Sequence, residues 1–470
     1  MGMSSERTGA GYVIFYAALV LFFTLHLYYV TAPPNGYHVW RESDTAAVTL
    51  NYYQDAQPFL APRTNELGSS SEKVRMELPF YNLLSSTGYY LHWPDHLAGH
   101  LVTVLAALAA LWFLYGLAAR LFDCLTAAMA VWAMAFSPLF FYYSYKLMPD
   151  ILMFALWLGA VYCFVRYIND KVLWSLLLSA LLLGLSACLK LLGLSVLPML
   201  FFMLLRDRSG RLMKTVIMSV YAVLSLLPPL GWMVYSGWLS DRLGVAGSFL
   251  PYFFSPLFFK KIFLQWPFEL WAGWVMVPAL IYGAYYLINR KKAALILVWL
   301  FSSFIAIVLV ARYSRHHDYY SLLFVPALAL VSGYGLSRLF EHRGFRKIIA
   351  VVLLVLAPVG AFVRVADRFG ETQEFRTIRA EVDKVIPAGS RIIVQDNTRG
   401  AVRLYQLNRK GWYIVSPDET DKIADCIRDG ARFLVLQKPH ENLPDKLKNI
   451  FSDCPGRVGP LYCYPLKSEK

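Results

Sequence analysis

Eleven apolar runs joined by polar loops leave this chain little choice of fold. They are Tyr12–Val30, Leu97–Leu117, Leu125–Tyr142, Ile151–Tyr167, Val172–Ala187, Leu191–Leu205, Met213–Tyr235, Pro267–Ile288, Ala293–Val310, Tyr319–Leu339 and Ile348–Val363. A bilayer's hydrocarbon is crossed by about 20 apolar residues in a helix. Lipid offers no partner to backbone N–H and C=O groups, so such runs must satisfy them internally. The fifth and sixth runs are short and meet at "CLKLLG", which predicts a kinked pair. With 57% hydrophobic and 16% charged residues, the chain does not read as a soluble domain. The expected fold class is a polytopic α-helical membrane protein of about eleven transmembrane helices, followed by a small α/β domain.

Basic residues set the expected orientation. With the N-terminus inside, the cytoplasmic loops and span ends collect Arg120, Arg166, Lys171, Arg206, Arg208, Arg211, Lys214, Arg290, Lys291, Lys292, Arg338, Arg343, Arg346 and Lys347. The opposite loops hold about half as many. An odd number of spans then puts the C-terminal segment outside. The formal net charge of +14 suits basic loops against anionic lipid headgroups, and no nucleic-acid-binding motif is present. The first run is longer than a typical signal-peptide core and is followed by Pro33, so it reads as an uncleaved span. The absence of Asn-x-Ser/Thr favours a bacterial inner membrane over the secretory pathway. The expected division is residues 1–366, a membrane domain with a large external loop at 33–96, and residues 367–470, a soluble extracytoplasmic α/β domain.

Within the loop, "SDTAAVTLNYYQDA" has helical spacing, with Ser43 or Asp44 as N-cap. The tail alternates helix-like and strand-like segments: "FRTIRAEVDKVI", "SRIIVQD", "RGAVRLYQLNRK", "GWYIVS", "DETDKIADCIRDG", "ARFLVLQ", "LPDKLKNIF" and "LYCYPL". Such alternation predicts a small doubly wound domain. It holds no glycine-rich phosphate loop, and no cofactor is assigned to it. Cys124, Cys163 and Cys188 lie in apolar runs as packing residues. Cys454 and Cys463 flank the turn "PGRVGPLY" and could be bridged outside the cytosol.

The polar residues that stand out fall on the expected outer face. Asp44, in "RESDTA", is either a helix-capping acid or a general base at a lipid-lined cavity, with Glu42 tuning or orienting it. Asp150 opens the fourth span, where the helix dipole alone would favour an acid. Together with Asp44 it could instead hold a divalent cation, Mg or Mn. Glu77, in "RMELPFYNLL", is a surface acid or a loop acid facing substrate. Lys190 interrupts the apolar runs and either snorkels or pairs with an anion. "RYSRHHDYY" concentrates Arg312, Arg315, His316, His317 and Tyr320 beside a span end, as membrane contact or as a phosphate clamp. Acids and phosphate-binding cations at one face of a bilayer fit a lipid-phosphate-linked sugar donor. Its phosphate is a ready leaving group, so the protein must supply a base and cations.

These segments, in this order, resemble the GT-C membrane glycosyltransferases, in particular the bacterial relatives of dolichyl-phosphate-mannose protein mannosyltransferases and of the lipid A aminoarabinose transferase. The carriers are "RESDTA", "ELPFY", "MPDILMFAL", "GLSACLKLLGLSVLPML" and "HHDYYSLLFVPALALVSGYG". The resemblance implies Asp44 as catalytic base, Asp150 as second external acid and Glu77 as loop acid near the donor. It implies Lys190, Arg315 and His317 around the donor phosphate, with His316 and Tyr320 beside them. Some relatives have lysine after the loop glutamate, where this chain has Leu78; Arg75 or Lys146 could supply that contact. It also implies inversion at the anomeric carbon, an acceptor in a lipid, glycan or protein of the envelope, and a polyprenyl-phosphate-sugar donor. A transporter or flippase of a lipid-linked glycan is the competing reading, though transporters place charges mid-membrane and show internal repeats. A non-catalytic assembly subunit would not require Asp44.

Overall fold

The computed structural model describes residues 2–67, 74–237, 249–342, 344–398, 400–439 and 456–466. It divides into two compact units. One comprises residues 1–29, 75–78 and 101–367, and the other residues 30–74, 79–100 and 368–470. Apart from residues 75–78, the large first loop therefore groups with the C-terminal segment.

Among the described residues, seven helices are long and apolar enough to span a membrane: Thr8–Leu27, Leu97–Leu121, Asp150–Asp170, Arg211–Ser236, Lys291–Leu309, Asp318–Glu341 and Phe345–Arg368. Four shorter apolar helices, Cys124–Ala135, Leu173–Leu189, Leu191–Leu205 and Val277–Leu287, match the remaining runs. The chain is a multi-pass helical membrane protein with a small C-terminal sheet region.

In chain order the elements used below are α1 (Gly2–Leu27), α2 (Val39–Gln54), α3 (Phe80–Tyr90), α4 (Leu97–Leu121), α5 (Cys124–Ala135), α6 (Pro138–Tyr143), α7 (Asp150–Asp170), α8 (Leu173–Leu189), α9 (Leu197–Leu205), α10 (Arg211–Ser236), α11 (Val277–Leu287), α12 (Lys291–Leu309), α13 (Val325–Glu341) and α14 (Phe345–Val365). The third expected run is two helices, because Pro138 cannot continue a helix and opens α6 instead. The eighth run is shortened to α11. Gly273 (φ +64) and Trp274 (φ 49) break the chain after two π-type turns at Lys260–Gln265 and Pro267–Trp271. The kinked pair forms as expected. α8 ends at Leu189, Lys190 is extended, and a 3-10 turn at Leu191–Val196 leads into α9.

α11 and α13 approach through small residues. A Cβ on Gly283 would lie 2.0 Å from the Val331 carbonyl oxygen, and one on Gly335 would lie 2.0 Å from that of Ala279. Without a hydrophobic drive between helices in lipid, such close backbone packing is a principal source of association.

The second unit is built on a five-stranded sheet of order β2-β1-β3-β5-β4. Its strands are β1 (Ile392–Gln395), β2 (Gly411–Ile414), β3 (Phe433–Leu436), β4 (Gly456–Val458) and β5 (Leu461–Pro465). β1 runs parallel to β2 and β3, while β5 is antiparallel to β3 and β4. Helices α15 (Gln373–Val385), α16 (Ala401–Leu407) and α17 (Thr420–Arg428) complete it. The period-two pattern splits β1 between two cores. Ile392 and Val394 pack with Ile378, Val382 and Leu404, and Ile393 packs with Ile423 and Cys426. Doubly wound layering is therefore present, with one antiparallel strand, β5, set between β3 and β4. The segment "LPDKLKNIF" and Cys454 lie outside the described residues; Cys463 is buried in β5.

The first loop, apart from residues 75–78, is part of this unit. Ala46, Ala47 and Leu50 of α2 pack against Phe375 and Tyr405. The Leu67 N–H donates to the Gly411 carbonyl at 2.7 Å, and the Gly411 N–H donates to that of Asn65 at 3.0 Å. A Cβ at Gly411 would collide with the Ile392 carbonyl oxygen, so only glycine fits this edge. Between α3 and α4, buried His96 meets the Tyr405 hydroxyl at 2.8 Å.

Candidate functional site

In the membrane unit, the end of α8 carries the best-defined polar cluster. The Lys190 ammonium forms an ion pair with the carboxylate of Asp150. It also lies 4.3 Å from the ring centroid of Tyr319 and 5.1 Å from that of Tyr320. Asp150 is the first residue of α7 and is 1% exposed. Its Oδ2 is buried with no hydrogen-bond partner. A buried carboxylate needs a compensating charge, and the break between α8 and the 3-10 turn delivers it. The Lys190 N–H still bonds the Ser186 carbonyl at 2.9 Å, so the backbone on its helical side stays anchored.

Tyr319 and Tyr320 come from a 3-10 turn at Asp318–Phe324 that feeds α13. The same turn buries Asp318, which accepts a hydrogen bond from the Tyr143 hydroxyl. Tyr143 in turn meets Tyr319 edge to face at 5.7 Å. The His317 ring stacks on Tyr319 with centroids 5.5 Å apart. Arg315 stacks on Tyr252 at 4.4 Å, and its Nε is buried with no hydrogen-bond partner. Burial, then the neighbouring charges of Arg315 and Lys261, pushes the His316 imidazole below its usual range, which favours the neutral ring. Lys146 is buried, with its ammonium 4.9 Å from the Tyr142 ring centroid.

Glu77 is buried on a segment pinned to the same unit. The Leu78 N–H donates to the carbonyl of Cys188, two residues before Lys190, at 3.0 Å. The Trp232 indole donates to the Met76 carbonyl at 3.0 Å. Arg75 lies beside Gly237, its Nε 3.5 Å from the position a Cβ would take. Asp150, Lys190, His317 and Tyr320 thus form one contact network, with the Glu77 segment tied to α8. Arg315 and His316 stand a few residues before it, and Lys146 four residues before Asp150.

Asp44 and Glu42 belong to the other unit. α2 begins at Val39 behind His38, which has φ 66, so Ser43 and Asp44 lie inside the helix and neither is its N-cap. Positions two apart on a helix diverge by about 200°. Glu42 is buried, accepting a hydrogen bond from the Asn35 N–H at 3.4 Å. Asp44 retains 32% side-chain exposure and an Arg41 guanidinium at 3.8 Å. Glu42 and Asp44 therefore leave α2 on different sides. Glu42 holds the entry to the helix, while Asp44 is the accessible acid.

Comparison with known proteins bears on the whole arrangement. The family model described as dolichyl-phosphate-mannose-protein mannosyltransferase matches residues 78–234, about a third of the chain. That stretch contains Lys146, Asp150 and Lys190. ArnT from Cupriavidus metallidurans, solved bound to undecaprenyl phosphate, aligns with a TM-score of 0.66 at 14% identity over 95% of this chain and 97% of that one. The chain has the GT-C glycosyltransferase fold. An oligosaccharyltransferase from Archaeoglobus fulgidus, solved with Zn and sulfate, aligns with a TM-score of 0.62 at 13% identity, over 90% of this chain and 68% of that one. Mycobacterial arabinofuranosyltransferase AftD aligns with a TM-score of 0.57 at 17% identity, over 91% of this chain and 36% of that one. A search of curated sequences gives no match.

On this GT-C fold, a divalent cation at Asp150 fits poorly. Its carboxylate is already compensated by an ammonium, and a metal would repel Lys190. Among the described residues, no group of three or more His, Cys, Asp or Glu could hold a metal ion. Sequence reasoning missed Asp318, Tyr143, Tyr252 and Tyr319. The signal for Asp318 is present, since it is the acid between the histidine pair and the tyrosine pair in "HHDYY", directly before an apolar run.

Proposed function

We propose that the protein is a polyprenyl-phosphate-sugar-dependent glycosyltransferase of a bacterial inner membrane, acting at the periplasmic face. The observation that carries this reading is Lys190, held by Asp150 and two tyrosine rings inside the stretch that matches the mannosyltransferase family. Polyprenyl phosphates occupy two of the solved GT-C proteins, undecaprenyl phosphate in ArnT and dolichol-phosphate in an archaeal oligosaccharyltransferase. In this reading Lys190 receives the donor phosphate, with Arg315 and His317 on the approach. Because Asp150 and the rings already fix the ammonium, its ordering cost is met on folding rather than on donor binding.

Asp44 is the general base. It takes the proton of an acceptor hydroxyl, and the hydroxyl oxygen forms a bond to the anomeric carbon. The bond from that carbon to the phosphate oxygen breaks, and polyprenyl phosphate leaves with the electron pair, stabilised by the cations. A single displacement of this kind inverts the anomeric centre. The N-terminus is cytoplasmic and the C-terminal segment periplasmic, following the basic-residue count. The acceptor is a hydroxyl of an envelope lipid, glycan or protein.

The test is transfer from radiolabelled polyprenyl-phosphate sugars to a membrane extract by purified protein, compared with Asp44→Asn. Turnover by the natural chain, lost in a folded Asp44→Asn, supports the reading. Equal turnover in both removes Asp44 as the base.

A further inference from the structure

A basic cavity lies at the opposite ends of the spans that carry the Lys190 cluster. The span Asp318–Glu341 begins beside Lys190 and ends at this cavity, and the span Lys291–Leu309 begins at it. A helix of that length separates the two by about 30 Å, the thickness of the hydrocarbon. The cavity has a volume of about 290 Å³ and is lined by Asp123, Arg290, Lys291, Lys292 and Arg338, with Phe122 as an apolar wall.

Its charge is unbalanced. Asp123 is committed to capping α5, where it accepts the Thr126 N–H and the Thr126 hydroxyl, both at 2.9 Å. Arg338 pairs with Glu341 at 3.0 Å. Lys292 lies over the Phe122 ring at 4.7 Å. Among the described residues no ion pair engages Arg290, Lys291 or Lys292. Tyr285, 73% exposed near the end of α11, marks the depth at which aromatic side chains meet headgroups.

We propose that this cavity binds the phosphate headgroup of an anionic membrane lipid in the leaflet opposite the Lys190 cluster. Clustered cations in a cavity between helix ends match a phosphodiester, the Phe122 wall suits the first carbons beyond it, and the cavity opens at headgroup depth. The site is independent of the transferase reading.

The experiment is native mass spectrometry of delipidated full-length protein, titrated with phosphatidylglycerol or phosphatidylcholine of identical chains. The variants are Lys291→Gln/Lys292→Gln and the charge-matched control Arg208→Gln/Arg211→Gln. The natural chain should hold one phosphatidylglycerol in preference to phosphatidylcholine. That preference should fall by roughly 10- to 30-fold in Lys291→Gln/Lys292→Gln and stay within about twofold in the control. Equal loss in both variants, or none in either, overturns the site. Inorganic phosphate is the remaining probe. Displacement of the lipid by equimolar phosphate overturns the lipid assignment, and retention of the lipid supports it.

Discussion

The ammonium of Lys190 bridges the carboxylate of Asp150 to the ring of Tyr319, joining the end of α8, the start of α7 and the turn that opens α13. A charge that ties three segments together has consequences for both stability and donor binding.

Lys190→Met leaves Asp150 buried without its counter-charge. Stability should fall by about 3–5 kcal/mol. Adding Asp150→Asn should recover a large part of it, because the uncompensated charge is gone. Thermal unfolding in detergent measures both. A double variant no more stable than Lys190→Met would show that the ion pair is not what holds these segments.

Asp44→Asn should lower transfer by about 10²–10⁴-fold, the usual contribution of a positioned base. Glu42→Gln should leave the rate per folded molecule within a few-fold and lower the unfolding temperature instead, since Glu42 bonds the Asn35 backbone. Initial rates normalised to folded protein distinguish the two acids.

Burial holds His96 well below its ordinary value of 6.5, with His100, Arg379 and Arg376 adding to the effect. The unfolded chain then binds more protons than the folded one between that depressed value and 6.5. Stability therefore rises with pH through this window and is flat above it. Below pH 6.5 the loss should approach about 1.4 kcal/mol per pH unit. His96→Gln should flatten the slope, as read from unfolding temperatures between pH 5 and 8.

Gly335→Ala drives a methyl group into the Ala279 carbonyl and should cost about 2–4 kcal/mol. Gly231→Ala, on α10 with nothing within 4 Å of its Cβ position, should be neutral or slightly stabilising. Unfolding temperatures of the pair separate helix contact from helix propensity.

Much of the membrane part was legible, because hydropathy reports burial in lipid directly and each of the eleven runs contains an apolar helix. Where the reading slipped, the cause was local geometry that averaging over a window cannot see: Pro138 restarting a helix, and Gly273 with Trp274 at positive φ. The start of α2 was misplaced because Ser43 and Asp44 are good caps by residue type, whereas the helix enters from His38 in a left-handed conformation. Lys190 was visible as a lone cation between apolar runs. Its partner's burial, and the packing of Tyr143 and Asp318 around the same rings, depend on contacts between distant segments. The docking of the first loop onto the C-terminal sheet left no local trace at all.

That docking sets a timetable for biosynthesis. His96 and Tyr405 are 309 residues apart in the chain. At a synthesis rate of about 5–20 residues per second, the loop carrying Asp44 emerges roughly 15–60 s before the surface it packs against. Through that interval every later span must be inserted while Ala46, Ala47 and Leu50, packed with Tyr89, still lack Phe375 and Tyr405. A ribosome that stops before Tyr405 leaves a protein with its membrane helices made and the Asp44 helix without its support. The segment carrying Phe375 and Tyr405 therefore completes the support of the Asp44 helix late in its assembly.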